Sequence, residues 1–119
     1  MRFACLIYFD PTLVFNGSAA SNAILAEAGA HSQQLDAAGI SAEALALPSS
    51  AVTIRIREGK MRPTDGPFME TKEVLGGFVL IEADTMAAAI EMAATNPMAK
   101  LGAVEVRPLV DFSQPRPVL

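Results

Sequence analysis

The sequence holds a single cysteine, a single histidine and a single tyrosine, and no run of eighteen uninterrupted apolar residues. With only Cys5, no internal disulfide can form, which fits a reducing compartment, the cytoplasm. Without a long apolar run, no helix is expected to span a membrane. The apolar stretch Phe3 to Phe9 is short, runs straight into Asp10-Pro11 and lacks a cleavage-type ending, so it does not read as a secretory leader. Lys and Arg are absent between Phe3 and Ile54, a segment that carries Asp10, Glu27, Asp36 and Glu43 and so accounts for the net charge of −4. Nucleic-acid binding needs a basic face to neutralise phosphates, so direct contact with DNA or RNA is not expected. One histidine, one cysteine and scattered carboxylates offer no metal-ligand spacing. Gly76-Gly77 is a pair rather than a phosphate-cradling loop. The expectation is a domain without metal or organic cofactor.

What the chain does have is core material. Its 119 residues are 51% hydrophobic, enough for a single domain over residues 1–110, with an extended tail over 111–119. In Arg2 to Phe9, Phe3, Cys5, Ile7 and Phe9 alternate with Ala4, Leu6 and Tyr8, which predicts a strand apolar on both faces, ended by Asp10-Pro11. Asn16-Gly17-Ser18 is a turn cluster, with Ser18 or Ser21 available to cap a helix. Ile24, Ala28, His31, Leu35 and Ala38 make one face of that helix, Gly39 ends it, and Gly29 lies within it at a cost of about 1 kcal/mol relative to Ala. An extended segment to Pro48 follows. Val52 to Arg57 alternates with period two, Glu58-Gly59-Lys60 turns, and Met61 to Thr64 returns. Gly76-Gly77, read as a bulge or a close backbone contact, precedes a strand from Phe78 to Ala83. Asp84 or Thr85 caps a second helix that presents Met86, Ala89, Ile90 and Ala93 and stops at Asn96-Pro97. Ala103 to Leu109 is the last strand.

The order β-α-β-β-(β)-β-α-β predicts an α+β fold. Two helices cover one face of such a sheet, yet the first strand is apolar on both. The cheapest cover for the second face is another copy of the sheet, so the expected assembly is a homodimer packed sheet to sheet around a barrel-like core.

Four segments in register carry a family resemblance: Asp65-Gly66-Pro67-Phe68, Glu70-Thr71-Lys72-Glu73, Leu75-Gly76-Gly77-Phe78 and Gly102-Ala103-Val104-Glu105-Val106-Arg107-Pro108. Together they resemble the DGPF-type branch of the YCII-related family over about residues 1 to 110. The resemblance implies a ferredoxin-like βαββαβ fold with an antiparallel sheet, two helices on one face and a dimeric α+β barrel. Most members have no assigned activity. Relatives in the wider group include a dehydrochlorinase acting on a chlorinated aromatic, and some members are associated with alternative sigma factors. The wider group uses a His-Asp pair on and after the first helix. Anchored on Gly39, its histidine position falls near Leu25 here, and His31 lies about two helical turns later and out of register, so the pair is not carried over.

Several residues have both a chemical and a purely structural reading. Asp65 suits a general base or ligand anchor at a pocket rim, and equally the first position of a turn in which Pro67 pushes Gly66 to an extended conformation. Glu70 and Lys72 suit a proton-transfer and anion-binding pair, or a solvated ion pair worth ~0–1 kcal/mol. His31 is the one side chain whose ordinary pKa suits proton transfer near neutrality, and it also fits a hydrogen-bonded core position. Tyr8 and Phe68 could line a cleft for a flat ligand, with Phe78 beside them, or belong to the core. Arg107 suits a bidentate grip on a carboxylate, or an edge-strand charge that discourages aggregation. Cys5 is expected to be an inert core thiol. The candidate catalytic set is therefore Asp65, His31 and Glu70, and the ligand-binding set Tyr8, Phe68, Lys72 and Arg107. Three functions fit: a binder or sensor of a small molecule at the barrel cleft, a cofactor-independent lyase or isomerase using that pocket, and a non-catalytic dimeric domain acting beside a transcription factor.

Overall fold

The computed structural model describes residues 1–119. Strand β1 (Arg2–Phe9) leads into a short helix, α1 (Pro11–Val14), and the long helix α2 (Ala19–Ala37). Strand β2 (Ala42–Ala44), hairpin strands β3 (Val52–Arg57) and β4 (Lys60–Asp65), strand β5 (Val74–Glu82), helix α3 (Met86–Ala93) and strand β6 (Ala103–Pro108) follow. Two single 3₁₀ turns, Pro48–Ser50 and Pro97–Lys100, complete the chain. The main sheet runs β2-β5-β1-β6, with all three pairings antiparallel. This is the ferredoxin-like arrangement, with the β3–β4 hairpin inserted between its second and third strands.

Local chemistry sets the element ends. Ser18 caps α2, its hydroxyl oxygen accepting from the Ser21 amide at 3.1 Å. At the other end Gly39, at φ 75°, lets the Ile40 amide donate to Leu35 at 2.9 Å and so closes the helix. Thr85 caps α3 through the Ala88 amide. Helix α1 was not apparent in the sequence pattern. Asp10 builds it by accepting from both the amide and the hydroxyl of Thr12, with Pro11 at the first helical position.

The core lies between the sheet and its helices. Phe3, Cys5, Ile7 and Phe9 of β1 and Val79 and Ile81 of β5 pack with Val14, Ala89, Ala93 and Met98, and Leu25, Ala28 and Leu35 of α2 lean onto them. The opposite face of β1, with Ala4, Leu6 and Tyr8, is only half-buried, as are Phe78 and Leu80 beside it. No helix of the chain crosses that face. No helix is long and apolar enough to cross a membrane.

The Gly76-Gly77 pair combines a bulge with a close contact. Ile7 pairs with Gly77 and Tyr8 with Leu75, which leaves Gly76 as an extra residue in β5. The Phe9 ring fills the space a Cβ at Gly76 would need, its Cε1 lying 1.9 Å from that position.

The β3–β4 hairpin forms a sheet of its own and packs chiefly against itself. It turns through Glu58 and Gly59, both at positive φ. Strand β4 extends one residue beyond the expected Thr64, to Asp65. Gly66 departs from the expected extended conformation: its φ is 102°, a region essentially open to glycine alone. Its amide donates to Ala51 at 2.7 Å and its carbonyl accepts from the Thr53 hydroxyl at 2.9 Å, so the start of the loop is tied to the base of the hairpin.

Candidate functional site

Helix α2 rests on the sheet loosely. Only Ser21 in its first turn is buried, held by a hydrogen bond from its hydroxyl to the Leu13 carbonyl at 2.9 Å. Further along, Glu27 pairs with Lys100 at 3.1 Å, an exposed contact of little energy. Between these supports a cavity of about 310 Å³ opens between helix and sheet. Its walls are mostly apolar: Ile7 and Phe9 from β1, Phe15 after α1, Leu25, Ala28 and Leu35 from α2, Val79 from β5 and Met98. A second chamber of about 170 Å³ adjoins it, lined by Cys5, Ile81, Met92 and Val104 among others. His31, Leu35, Val79 and Asn96 line both chambers.

His31 is therefore a polar side chain placed where two apolar spaces meet. The helical stripe that carries it is shifted slightly from the expected one, with Leu25 rather than Ile24 packing onto the core. Asn96 is buried opposite, its Oδ1 accepting from the Met98 amide at 3.0 Å as it caps the Pro97–Lys100 turn. Ser32 adds a hydroxyl to the larger chamber. Gly29 also lines that chamber, and a Cβ placed there would meet nothing within 4 Å. A glycine inside a helix, beside empty space, forgoes about 1 kcal/mol of helix stability relative to alanine. Burial raises the Cys5 thiol above its ordinary pKa, which keeps it neutral and poorly nucleophilic.

The other predicted residues lie elsewhere. Neither chamber is lined by Asp65, Glu70, Tyr8, Phe68, Lys72 or Arg107. Asp65 ends β4 opposite Val52, exposed, with no hydrogen bond to its carboxylate. Phe68 is exposed on the following loop, with the Arg55 guanidinium 5.1 Å from its ring centre. Tyr8 belongs to the open sheet face, between Leu75 and Ala103. Arg107 forms an ion pair with Glu105 on its own strand. Glu70 is exposed in the same loop as Phe68.

Lys72 reaches a different place, a shallow groove with Asp10, Thr12, Ser49 and Thr71. There the Thr12 hydroxyl, the Thr12 amide and, more weakly, the Lys72 charge hold the Asp10 carboxyl below its ordinary pKa. Asp10 and Asn96, which the sequence pattern marks only as the ends of a strand and a helix, line these spaces as polar groups. Both precede a proline that opens a helical turn, an Asx-Pro signature that marks a cap.

A family model for the YCII-related domain matches residues 1–113. The chain belongs to that family. It is also similar to an uncharacterized protein of Rhizobium meliloti (strain 1021), 41% identical over 63 residues, which cover 51% of this chain and 51% of that protein. The match thus spans about half the length of that curated relative. In this YCII-related domain Leu25, near which the resemblance places a histidine, and His31 line one and the same cavity.

Proposed function

We propose that this YCII-related domain binds a small, largely apolar molecule with one polar group in the α2–sheet cavity, His31 being the polar contact. The observation that carries the reading is the cavity itself: about 310 Å³ of mostly apolar space with His31, Ser32 and Asn96 on its walls. Ligand pockets usually combine an apolar lining with a few polar groups that orient the guest, and begin near ~300 Å³. At ~30 Å³ per water in the liquid, the space equals roughly ten waters, which suits a single substituted ring. Gly29 is compatible with the reading: it lines the cavity, and nothing lies within 4 Å of where its Cβ would be. A second reading, proton transfer in a lyase- or isomerase-type reaction, is favoured by the position of His31 between the two chambers.

The assembly belongs to the same proposal. Ala4, Leu6, Tyr8, Phe78 and Leu80 leave one face of the sheet apolar and uncovered by any helix, and a second copy packed sheet to sheet covers it. Cys5, free and buried, suits a reducing compartment such as the cytoplasm.

A thermal-shift series with phenol, benzoate and related single-ring compounds tests the site. A ligand at a hundredfold excess over its Kd should stabilise the domain by about 2.7 kcal/mol. Gly29→Leu should fold normally and lose the response, since its side chain enters open space. His31→Leu should keep binding of unsubstituted rings and weaken binding of hydroxylated or carboxylated ones. If no compound stabilises the wild type while a protein partner is recovered by pull-down, the chain is an interaction module instead.

A further inference from the structure

We propose that the β3–β4 hairpin is an arm that seats its apolar face in the groove between α3 and β6 of a second copy of this chain. The inference rests on the sheet-to-sheet dimer proposed above and adds to it a contact surface that can be broken separately.

The hairpin is built for a partner. An isolated two-stranded hairpin is marginal in water, and this one packs chiefly against itself. Its register puts Val52, Ile54, Ile56, Met61 and Pro63 on one face, with Asp65 opposite Val52 at the base of the hairpin. The four large side chains are 57%, 59%, 64% and 62% exposed in that order, an uncovered apolar strip. The other face sets Arg55 opposite Arg62 and Arg57 opposite Lys60. Like charges directly across a ladder repel, and none of the four cations is in a salt bridge.

The receiving groove lies at the far edge of the main sheet. Met86, Ile90 and Ala94 on the helix side face Ala99, Val104 and Val106, and all of its lining is hydrophobic. Asp84, just before α3, and Glu91, within it, are exposed and unpaired. Both sit on the α3 side of the groove, whereas the arm's cations lie on the face turned away from it once the apolar face is seated, so apolar contact alone carries the fit.

Topology and area point to a second copy. The arm leaves the sheet beside β2 and the groove borders β6, the opposite edge. A two-fold axis running along the strands lays each β2 edge over its partner's β6 edge, so every arm meets a groove and the contact closes as a dimer. Strand β1, eight residues long, gives the open face a length of roughly 26 Å, and four strands give it a width of roughly 15 Å. That footprint of roughly 400 Å² is about half of what each partner buries in a stable interface. An arm face of roughly 20 Å by 10 Å, given by each copy and received by each copy, adds roughly 400 Å² more.

Sedimentation velocity on the full chain tests this, with circular dichroism and melting as controls for folding. The variants are Ile54→Asp with Ile56→Asp on the arm, Ile90→Asp in the groove and Leu6→Asp on the open sheet face. The expected result is a wild-type dimer at micromolar concentration whose dissociation constant rises at least a hundredfold in the arm variant and in the groove variant, with folding unchanged. A photo-crosslinking residue at position 56 should then attach to α3 or β6 of the second copy. A dimer broken by Leu6→Asp and untouched by the arm and groove variants overturns the arm and leaves the sheet dimer standing. So do cross-links confined to one chain or to β1 and β5. A wild-type monomer at that concentration overturns both.

Discussion

Strands β1 and β3 have the same period-two apolar pattern and opposite fates. In β1 the residues Phe3, Cys5, Ile7 and Phe9 lie under two helices and are buried, with Phe3 at 0% exposure. In β3 the residues Val52, Ile54 and Ile56 lie in a hairpin that no helix covers. Alternation identifies a strand and its apolar side. It does not say what covers that side, because cover depends on elements distant in sequence. The open face of β1 stands between the two cases, half-buried through its neighbours in the sheet and crossed by no helix.

The largest effect separates the two strands directly. Phe3→Ala should cost ~3–5 kcal/mol in urea unfolding, as removal of a fully buried aromatic ring does. Equal losses at Phe3 and at Ile54 in dilute solution would erase the distinction. Next comes Gly76→Ala. Its Cβ would sit 1.9 Å from the Phe9 ring, so the ring must move, at ~1–3 kcal/mol. Gly29→Ala should go the other way, by ~0.5–1 kcal/mol in favour of folding, because its Cβ meets only space. A destabilised Gly29→Ala would show that helix α2 lies closer to the sheet than the cavity allows.

Stability against pH sharpens the contrast between the helical side and the groove near Lys72. Asp10 has a lowered pKa when folded, so its contribution is complete above the ordinary carboxylate value of about 3.9 and is lost as pH falls through the lowered one. Cys5 has a raised pKa when folded, so its contribution is complete below the ordinary thiol value of about 8.5 and is lost as pH rises through the raised one. Asp10→Asn should flatten the acid limb and Cys5→Ser the alkaline limb of the urea midpoint plotted against pH. The smallest effect belongs to the hairpin: Ile54→Ala should change the stability of the dilute monomer by less than about 0.5 kcal/mol.

Much of the fold was legible because local chemistry decides it. Ser18, Gly39 and Thr85 mark helix ends in any context, and the alternation of β1, β3 and β5 fixes their faces. The candidate site was less legible. Asp65, Phe68 and Glu70 stand out as a string, yet the structure puts them on an exposed strand end and loop, while His31 alone of that set reaches the cavity. Asn96 looked like a helix stop, and it is one, but burial also brings it to the wall between two chambers. The cavity arises from the gap between a loosely seated helix and a bulged strand, which no local pattern encodes. Gly29 was its one visible trace, a helix-interior glycine without a local reason.

The most direct test of the cavity is a methyl-resolved NMR titration with phenol. Binding in the cavity should shift Leu25, Leu35, Val79 and Met98 and the His31 ring, with Val52, Ile54 and Ile56 of the hairpin unmoved. Shifts centred on the hairpin or on Phe68, with the cavity methyls unchanged, would contradict it.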